Sequence, residues 1–131
     1  MAFENPGDVA VLATIHWEGD SRKVLSTFPK AVRQKIGVAL YALQQGESPT
    51  IATRRMESIG AGVFELKTSD EWHSYRAIYL SRIDDVIHVL HCFEKQSRKT
   101  DARDLRLART RLTQLRSRIE GARHAKKTKS K

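Results

Sequence analysis

The chain has 131 residues, of which 40% are hydrophobic and 30% are charged, and its formal net charge is +9. This length and composition favour one globular domain and argue against wholesale disorder. The apolar runs fall short of the ~20 residues that a membrane-spanning helix needs, and the N-terminus lacks the pattern of a signal peptide. We therefore expect a soluble, cytoplasmic protein without a membrane partner.

The excess positive charge lies in the last third of the chain. Residues 1–90 contain ten Lys and Arg against eleven Asp and Glu, whereas residues 91–131 contain fourteen against four. This asymmetry favours a polyanionic partner, nucleic acid first. A solvated helix face followed by a solubilising tail is the alternative interpretation.

The N-terminal part predicts one strand and two helices. Residues 9–17 are rich in strand-forming side chains, and residues 19–21 supply a turn and an N-cap for a short helix. Pro29 suits the first position of a second helix, which ends at Gly46. Gly37 inside this helix costs about 1 kcal/mol relative to alanine, so we expect a close packing contact to compensate.

The remainder predicts four strands and a final helix. The strand candidates are residues 51–57, 62–68, 74–81 and 86–93. Their short connections favour antiparallel pairing. A helix is predicted from Asp101 to about Ile119, and a basic, disordered tail over residues 121–131. The order indicates an α+β fold: a small, mainly antiparallel sheet with an N-terminal helical hairpin and a C-terminal helix, in one domain over residues 1–120.

The sequence predicts no metal or cofactor site. It contains no phosphate-binding Gly-rich loop with its lysine, no Cys-x-x-Cys and no His-Glu-x-x-His. The five histidines show no metal-ligand spacing on a helix. His88 and His91 lie three residues apart on a presumed strand, so we expect their side chains on opposite faces. Cys92 is interpreted as a buried thiol.

Five stretches in the same order resemble one known family. They are residues 17–49, IGAGVFELK (59–67), SYRAIY (74–79), VLHCFEKQSRKT (89–100) and DLRLARTRL (104–112). Together they resemble the phage-derived, HigB-like branch of the RelE/ParE toxin superfamily. The resemblance implies a RelE-like sheet and the toxin of a type II toxin–antitoxin pair. Such toxins typically enter the ribosomal A site and cleave mRNA without metal or cofactor, and a helix-turn-helix antitoxin protein neutralises them.

Cleavage of RNA by its own 2′-OH needs positive charge on the transition state and groups that move two protons. Strand pairing can bring Lys67, Arg76 and Lys95 onto one surface, and we predict these residues to be catalytic. The core strand before Lys95 would then deliver cations to the rim of a phosphate-binding face. The candidates for RNA binding are Arg98, Lys99 and His91.

Each candidate also has a structural interpretation. Lys67 could pair with Glu65 at the surface, and a buried Arg76 would need a carboxylate, for which Glu65 would serve. His91 could be a packed, hydrogen-bonded histidine. Trp72 and Tyr75 could stack on a base, although Tyr75 is more typical of a core strand.

Two positions depart from the family pattern. The chain has Lys67 where the family usually has arginine, and Gln96 where it tends to have a second lysine. Lysine lacks the bidentate fork of arginine at a phosphate. Two further functions stay open. One is a non-enzymatic, ParE-like inhibitor of DNA gyrase, because the superfamily contains the ParE branch. The other is a binding-only degenerate toxin or nucleic-acid-associated protein, which the two departures and the basic tail support.

Overall fold

The structure, a computed structural model, describes residues 12–96, 98 and 100–129. Its strands are β1 (Thr14–Trp17), β2 (Ala52–Arg55), β3 (Val63–Ser69), β4 (Ser74–Ile83) and β5 (Val86–Lys95). Its helices are α1 (Ser21–Leu25), α2 (Lys30–Gln44) and α3 (Ala102–Lys129). The predicted order of elements and the α+β class are confirmed. The predicted start of the first strand, residues 9–11, lies outside the described residues.

The five strands form one sheet in the order β1-β5-β4-β3-β2. Strands β2 to β5 pair antiparallel with their neighbours in sequence, as their short connections predicted. Asp84 and Asp85 join β4 to β5 with positive φ angles of 50° and 62°, which is the backbone of a tight hairpin turn. The edge strand β1 pairs parallel with β5, a contact between distant parts of the chain that the local pattern did not reveal.

Helices cover both faces of the sheet. The α1–α2 hairpin packs Phe28, Val32 and Ile36 against one face, together with strand residues such as Leu66 and Val89. Helix α3 packs Ala108, Leu112 and Leu115 against the other face, the α3 face. Burial of these side chains is the main stabilising contribution to the fold. The ends of the strands that α3 does not cover are available for binding or catalysis.

Strand β5 contains one extra residue between His88 and His91, where its register with β4 shifts. A bulge of this kind moves the alternation of side chains by one position. His91 lies 2.7 Å from Asp104 of α3, and His88 contacts Glu18, a carboxylate that also binds Arg118 of α3. The prediction that His88 and His91 face opposite sides is therefore wrong, because both lie on the α3 face.

Helix α3 is longer than predicted. It continues past Ile119 and Gly121 to Lys129, so residues 121–129 are helical here rather than a disordered tail, while residues 130 and 131 lie outside the described part. Alanine, arginine and lysine have high helix propensity, which offsets the cost of about 1 kcal/mol for the glycine. Arg123 also donates to Asp84 at 3.3 Å and attaches the extension to the sheet.

The arginines of α3 hold the helix to the rest of the domain. Three arginines donate to backbone carbonyls: Arg109 to Ser58, Arg111 to Leu90 and Arg116 to Ala61. Three bind carboxylates: Arg111 binds Asp20, Arg118 binds Glu18 and Arg123 binds Asp84. From the sequence, the positive charge of this part of the chain favours a polyanionic partner or a solvated helix face. Part of the positive charge is thus used within the fold. No described helix has the length and apolar character to cross a membrane.

The structure shows no close packing at Gly37 on α2. A Cβ added there meets no atom of the described residues outside its own helix backbone within 4 Å, so the expected close packing contact is not found in this part of the chain. We expect Gly37→Ala to raise the free energy of unfolding by about 0.5–1 kcal/mol, because alanine loses less backbone entropy in a helix. Urea denaturation measures this change. Gly60→Ala is the matched control and should destabilise, since its Cβ would lie 2.5 Å from Leu112 Cδ2; a loss of stability in Gly37→Ala would contradict the prediction.

Candidate functional site

The three residues predicted to be catalytic, Lys67, Arg76 and Lys95, lie on the α3 face. They are at the end of the sheet that is near the start of α3. Lys67 on β3 and Arg76 on β4 are direct register partners. Lys95, the last residue of β5, is paired with Ser74, two residues before Arg76 on the same face. The short β3–β4 connection sets this register, because hairpin strands pair from the turn outward. The end of the sheet thus carries three cationic side chains on adjacent strands.

A buried carboxylate lies beneath these cations. Glu65 is only 1% exposed, and its Oε1 lies 3.4 Å from Arg76 Nε and 4.0 Å from Arg54 Nε. Arg76 is also buried and donates from a terminal nitrogen to the carbonyl of Tyr75 at 3.1 Å. Glu65 Oε2 has no hydrogen-bond partner among the described residues. The ion pair fixes the guanidinium of Arg76 at the floor of the site.

Lys95 is half-buried in this cationic environment. Its pKa is lowered first by burial and then by the charges of Arg76, Arg54 and Lys67, while Glu65 acts in the opposite direction. Both main causes disfavour the charged ammonium. A lysine in such a position gains from binding an anion and gives up its proton more readily than an exposed lysine does.

An open groove runs beside Lys95 and Arg76. It has a volume of 690 Å³ and is bounded by the β3–β4 turn and the end of β5. A second cavity of 340 Å³ lies towards the start of α3, and Lys95 and Arg98 border both. Arg98 is exposed at this boundary, whereas Lys99 lies outside the described residues. The groove therefore presents positive charge along one wall.

The β3–β4 turn also lines the groove. The carboxylate of Asp70 accepts hydrogen bonds from the backbone N–H groups of Trp72 and His73, at 2.9 and 2.7 Å, and these bonds lower the pKa of Asp70. The turn is thereby ordered, yet the indole of Trp72 is 79% exposed. His73 lines the groove and its Nδ1 lies 3.2 Å from Glu94 Oε1. The turn thus brings an aromatic ring, an imidazole and the carboxylates of Asp70 and Glu71 to the groove that the cations border.

A family model described as "Phage derived protein Gp49-like (DUF891)" matches residues 23–113, well over half of the 131 residues. The chain belongs to the phage-derived Gp49-like family. This Gp49-like family is associated with RelE-like toxins, so the resemblance noted in the sequence holds at the level of a toxin-like family. The match covers α2, all of β2 to β5 and the first part of α3. No curated protein and no solved structure matched the chain.

The two departures from the expected pattern have different surroundings in this Gp49-like chain. Lys67 is half-buried next to Arg76 but is not among the residues that line the two cavities around Lys95. Gln96 lines the groove and donates from its amide to Glu94 Oε2 at 3.0 Å. The position where the resemblance implies a second lysine thus carries an uncharged amide, which is bound to the carboxylate of Glu94.

His91 and Tyr75 are packed away from the groove. His91 is buried, its Nε2 lies 2.7 Å from Asp104 Oδ1, and its ring stacks on Phe93. Tyr75 is buried on the opposite face against Phe28. The structure therefore does not bring His91 to the cations, and its contacts match the packed, hydrogen-bonded interpretation.

His73 and Arg54 contribute to the site but were not selected from the sequence. His73 is one of five histidines that share no motif in the sequence, and Arg54 lies on the short edge strand β2. The sequence signal that could have identified them is their position close to the β3–β4 hairpin, which carries two of the predicted cations. The register between β2 and β3, which places Arg54 opposite Glu65, could not be read from the sequence.

We expect His91 to make stability depend on pH. Burial lowers the pKa of His91 despite the nearby Asp104, with Arg111 acting in the same direction as burial. The unfolded chain therefore takes up a proton that the folded chain resists, and the free energy of unfolding should fall as the pH drops from 6.5 towards the lowered pKa. Melting curves between pH 8 and pH 5 should show a weaker pH dependence for His91→Gln than for wild type, and equal slopes would contradict this.

Proposed function

We propose that the chain is the toxin of a type II toxin–antitoxin system, of the HigB-like branch, and acts as a ribosome-dependent mRNA endonuclease. The observation that carries this proposal is the group of cations, Lys95, Arg76 and Lys67, at the uncovered end of the sheet beside an open groove. Membership of a toxin-like family supports it. Such a groove suits one strand of RNA, whose backbone it would contact through phosphates.

The cations would act on the scissile phosphate. When the 2′-OH attacks, negative charge grows on the phosphoryl oxygens, and fixed positive charge there lowers the barrier. Glu65 holds the guanidinium of Arg76 in place before the reaction, so little reorganisation is needed when charge develops on the phosphate. Lys95 has a lowered pKa, which suits a donor that protonates the departing 5′-oxygen.

A second group must take the proton of the attacking 2′-OH. His73 lines the same groove as Lys95 and Arg76, and imidazole is the side chain best suited to this role near neutral pH. We assign the general base to His73. Glu94 Oε1 lies 3.2 Å from His73 Nδ1 and orients the ring.

The proposed partners are the ribosome with its mRNA and a helix-turn-helix antitoxin protein. The groove is open on the α3 face, so a neutralising protein would need acidic groups that compete with RNA for Lys95 and Arg98. Complementary charge of this kind speeds association and excludes wrong partners.

Induced expression in a bacterial host tests the proposal. The 5′ ends of an abundant translated mRNA are mapped after induction of the chain. Growth arrest with cuts confined to translated regions supports a ribosome-dependent endonuclease. Growth arrest without cuts would indicate another target such as DNA gyrase, and neither effect would indicate a binding-only protein.

We expect Trp72 to act as a stacking platform for a base of the mRNA. Trp72 is largely exposed and lines the same groove as Lys95, and stacking of a base on an aromatic ring is worth about 1–3 kcal/mol. Trp72→Ala should therefore weaken binding of a short single-stranded RNA by about 5- to 150-fold, measured by fluorescence anisotropy. Tyr41→Ala is the control, because Tyr41 is half-exposed on α2; an equal loss in both variants would refute the assignment.

A further inference from the structure

A second cluster lies on the edge of the sheet formed by β1 and β5. His16 and His88 are direct register partners on these parallel strands. Glu18 follows His16 by two residues, and its carboxylate reaches the same pair. His88 and Lys95 are separated by seven positions along β5, about 23 Å at ~3.3 Å per residue. The cluster is therefore remote from the groove.

The three side chains point at one another. Glu18 Oε2 lies 2.6 Å from His16 Nδ1 and 3.5 Å from His88 Nδ1. One ligand atom from each residue lies within 4.8 Å of the other two. These are two imidazole nitrogens and one carboxylate oxygen, a set that zinc binds well.

His88 is buried and has a nitrogen atom that is unpaired within the described part of the chain. Its side chain is nine-tenths buried, with a relative exposure of 10%, and its Nδ1 has no hydrogen-bond partner among the described residues. Buried polar atoms are almost always satisfied, so an orphaned nitrogen aimed at a carboxylate calls for an explanation. A bound cation between the nitrogen and Glu18 supplies one.

Arg118 holds the far side of the carboxylate. Its terminal nitrogen donates to Glu18 Oε1 at 2.6 Å, which leaves Oε2 directed at the histidines. Side chains that orient a ligating carboxylate in this way are common around metal sites. The positive charge of Arg118 repels bound cations, so a single divalent ion with few ligands fits the site better than a multinuclear centre.

We propose that His16, Glu18 and His88 form a mononuclear zinc site. The ligand atoms are the two Nδ1 atoms and Glu18 Oε2, and water completes a tetrahedron. Two ligands of a tetrahedral zinc are about 3.3 Å apart, given zinc–ligand distances of about 2.0–2.1 Å. The distance of 3.5 Å between His88 Nδ1 and Glu18 Oε2 is already close to this value. His16, whose side chain is 55% exposed, moves outward to admit the ion.

The ion would join β1 to β5. Strand β1 has four residues and lies at the edge of the sheet, so a cross-link to the adjacent strand stabilises the part of the chain that precedes α1. This role does not depend on RNA cleavage. Binding that occurs in the folded state alone raises the melting temperature with zinc concentration.

Zinc titration of the purified full-length chain against a colorimetric chelator tests the site. We expect one zinc ion per wild-type chain and a loss of affinity of at least about 10-fold in His16→Ala and in His88→Gln, in line with removal of one ligand. His73→Ala is the matched control, because His73 also lies beside a glutamate, Glu94. It should keep wild-type affinity.

Two results would overturn the proposal. One is a wild-type chain that takes up no stoichiometric zinc, and the other is equal zinc affinity in wild type and His16→Ala. His16 is the decisive position, because its exposed side chain can be truncated without opening the core, even if His88→Gln fails to fold. Cobalt substitution adds an independent readout, since tetrahedral cobalt has intense visible bands that His16→Ala should lose and His73→Ala should keep.

Discussion

Replacing Lys95 by alanine is expected to lower mRNA cleavage by about 10²–10³-fold, the usual cost of removing one preorganised group that stabilises transition-state charge. Lys95 borders both cavities at the end of the sheet and lies among Arg76, Arg54 and Lys67. Its removal takes away positive charge and the proposed proton donor together. The variant should fold normally, because Lys95 is a half-buried side chain at the last position of β5.

The measurement is 5′-end mapping with purified ribosomes and a defined mRNA, so that the rate is separated from expression level. Lys23→Ala is the matched control: it makes the same charge change on α1, away from the groove. Lys67→Ala should reduce the rate less than Lys95→Ala, because Lys67 contributes charge without lining either cavity. Wild-type cleavage by Lys95→Ala would remove the central residue of the proposal.

The parts of the fold that sequence predicted well are those determined by local contacts. Hairpin connections fixed the antiparallel pairing of β2 to β5, and the spacing of apolar residues fixed which face of α2 is buried. The parts it missed depend on distant contacts. The parallel pairing of β1 with β5 and the extra residue near Leu90 in β5 are examples.

The same division holds for the candidate site. The sequence predicted that strand pairing can bring Lys67 and Arg76 onto one surface, and it offered Glu65 as the partner of a buried Arg76. The register that makes Lys67 and Arg76 direct partners is known from the structure. The groove itself could not be predicted. It depends on how Asp70 folds the turn around Trp72, and side-chain hydrogen bonds within a turn leave no periodic signal in the sequence.

Some arginines of α3 bind groups of their own chain, which the composition did not reveal. A ridge of cations on a helix resembles a nucleic-acid surface in composition, yet Arg111 and Arg118 bind Asp20 and Glu18 across the domain. Charge counts cannot distinguish an arginine that binds RNA from one that binds its own chain. Partners far apart in sequence, here 91 and 100 residues, decide between these roles.

Replacing Glu65 by alanine is expected to lower the free energy of unfolding by about 3–5 kcal/mol, because it leaves the charge of Arg76 buried without a partner. Both side chains are almost fully buried, with relative exposures of 2% and 10%. Arg76→Met should cost a similar amount, since the carboxylate is then unpaired. The double variant Glu65→Leu with Arg76→Met should recover most of the loss, because an apolar pair of similar volume replaces the ion pair. Urea denaturation of the four chains measures the coupling, and additive losses would show that the two side chains do not interact.

The double variant also separates the two roles of Arg76. If the guanidinium contacts the scissile phosphate, the stable double variant cleaves mRNA far more slowly than wild type, even though the structural loss is repaired. If Arg76 only fills the interior beside Glu65, cleavage returns together with stability. Comparison with Lys95→Ala then tells whether charge at the floor of the groove matters as much as charge at its rim. A slow, stable double variant would make Glu65 a positioning residue, whose function is to hold a buried cation where an RNA phosphate can reach it.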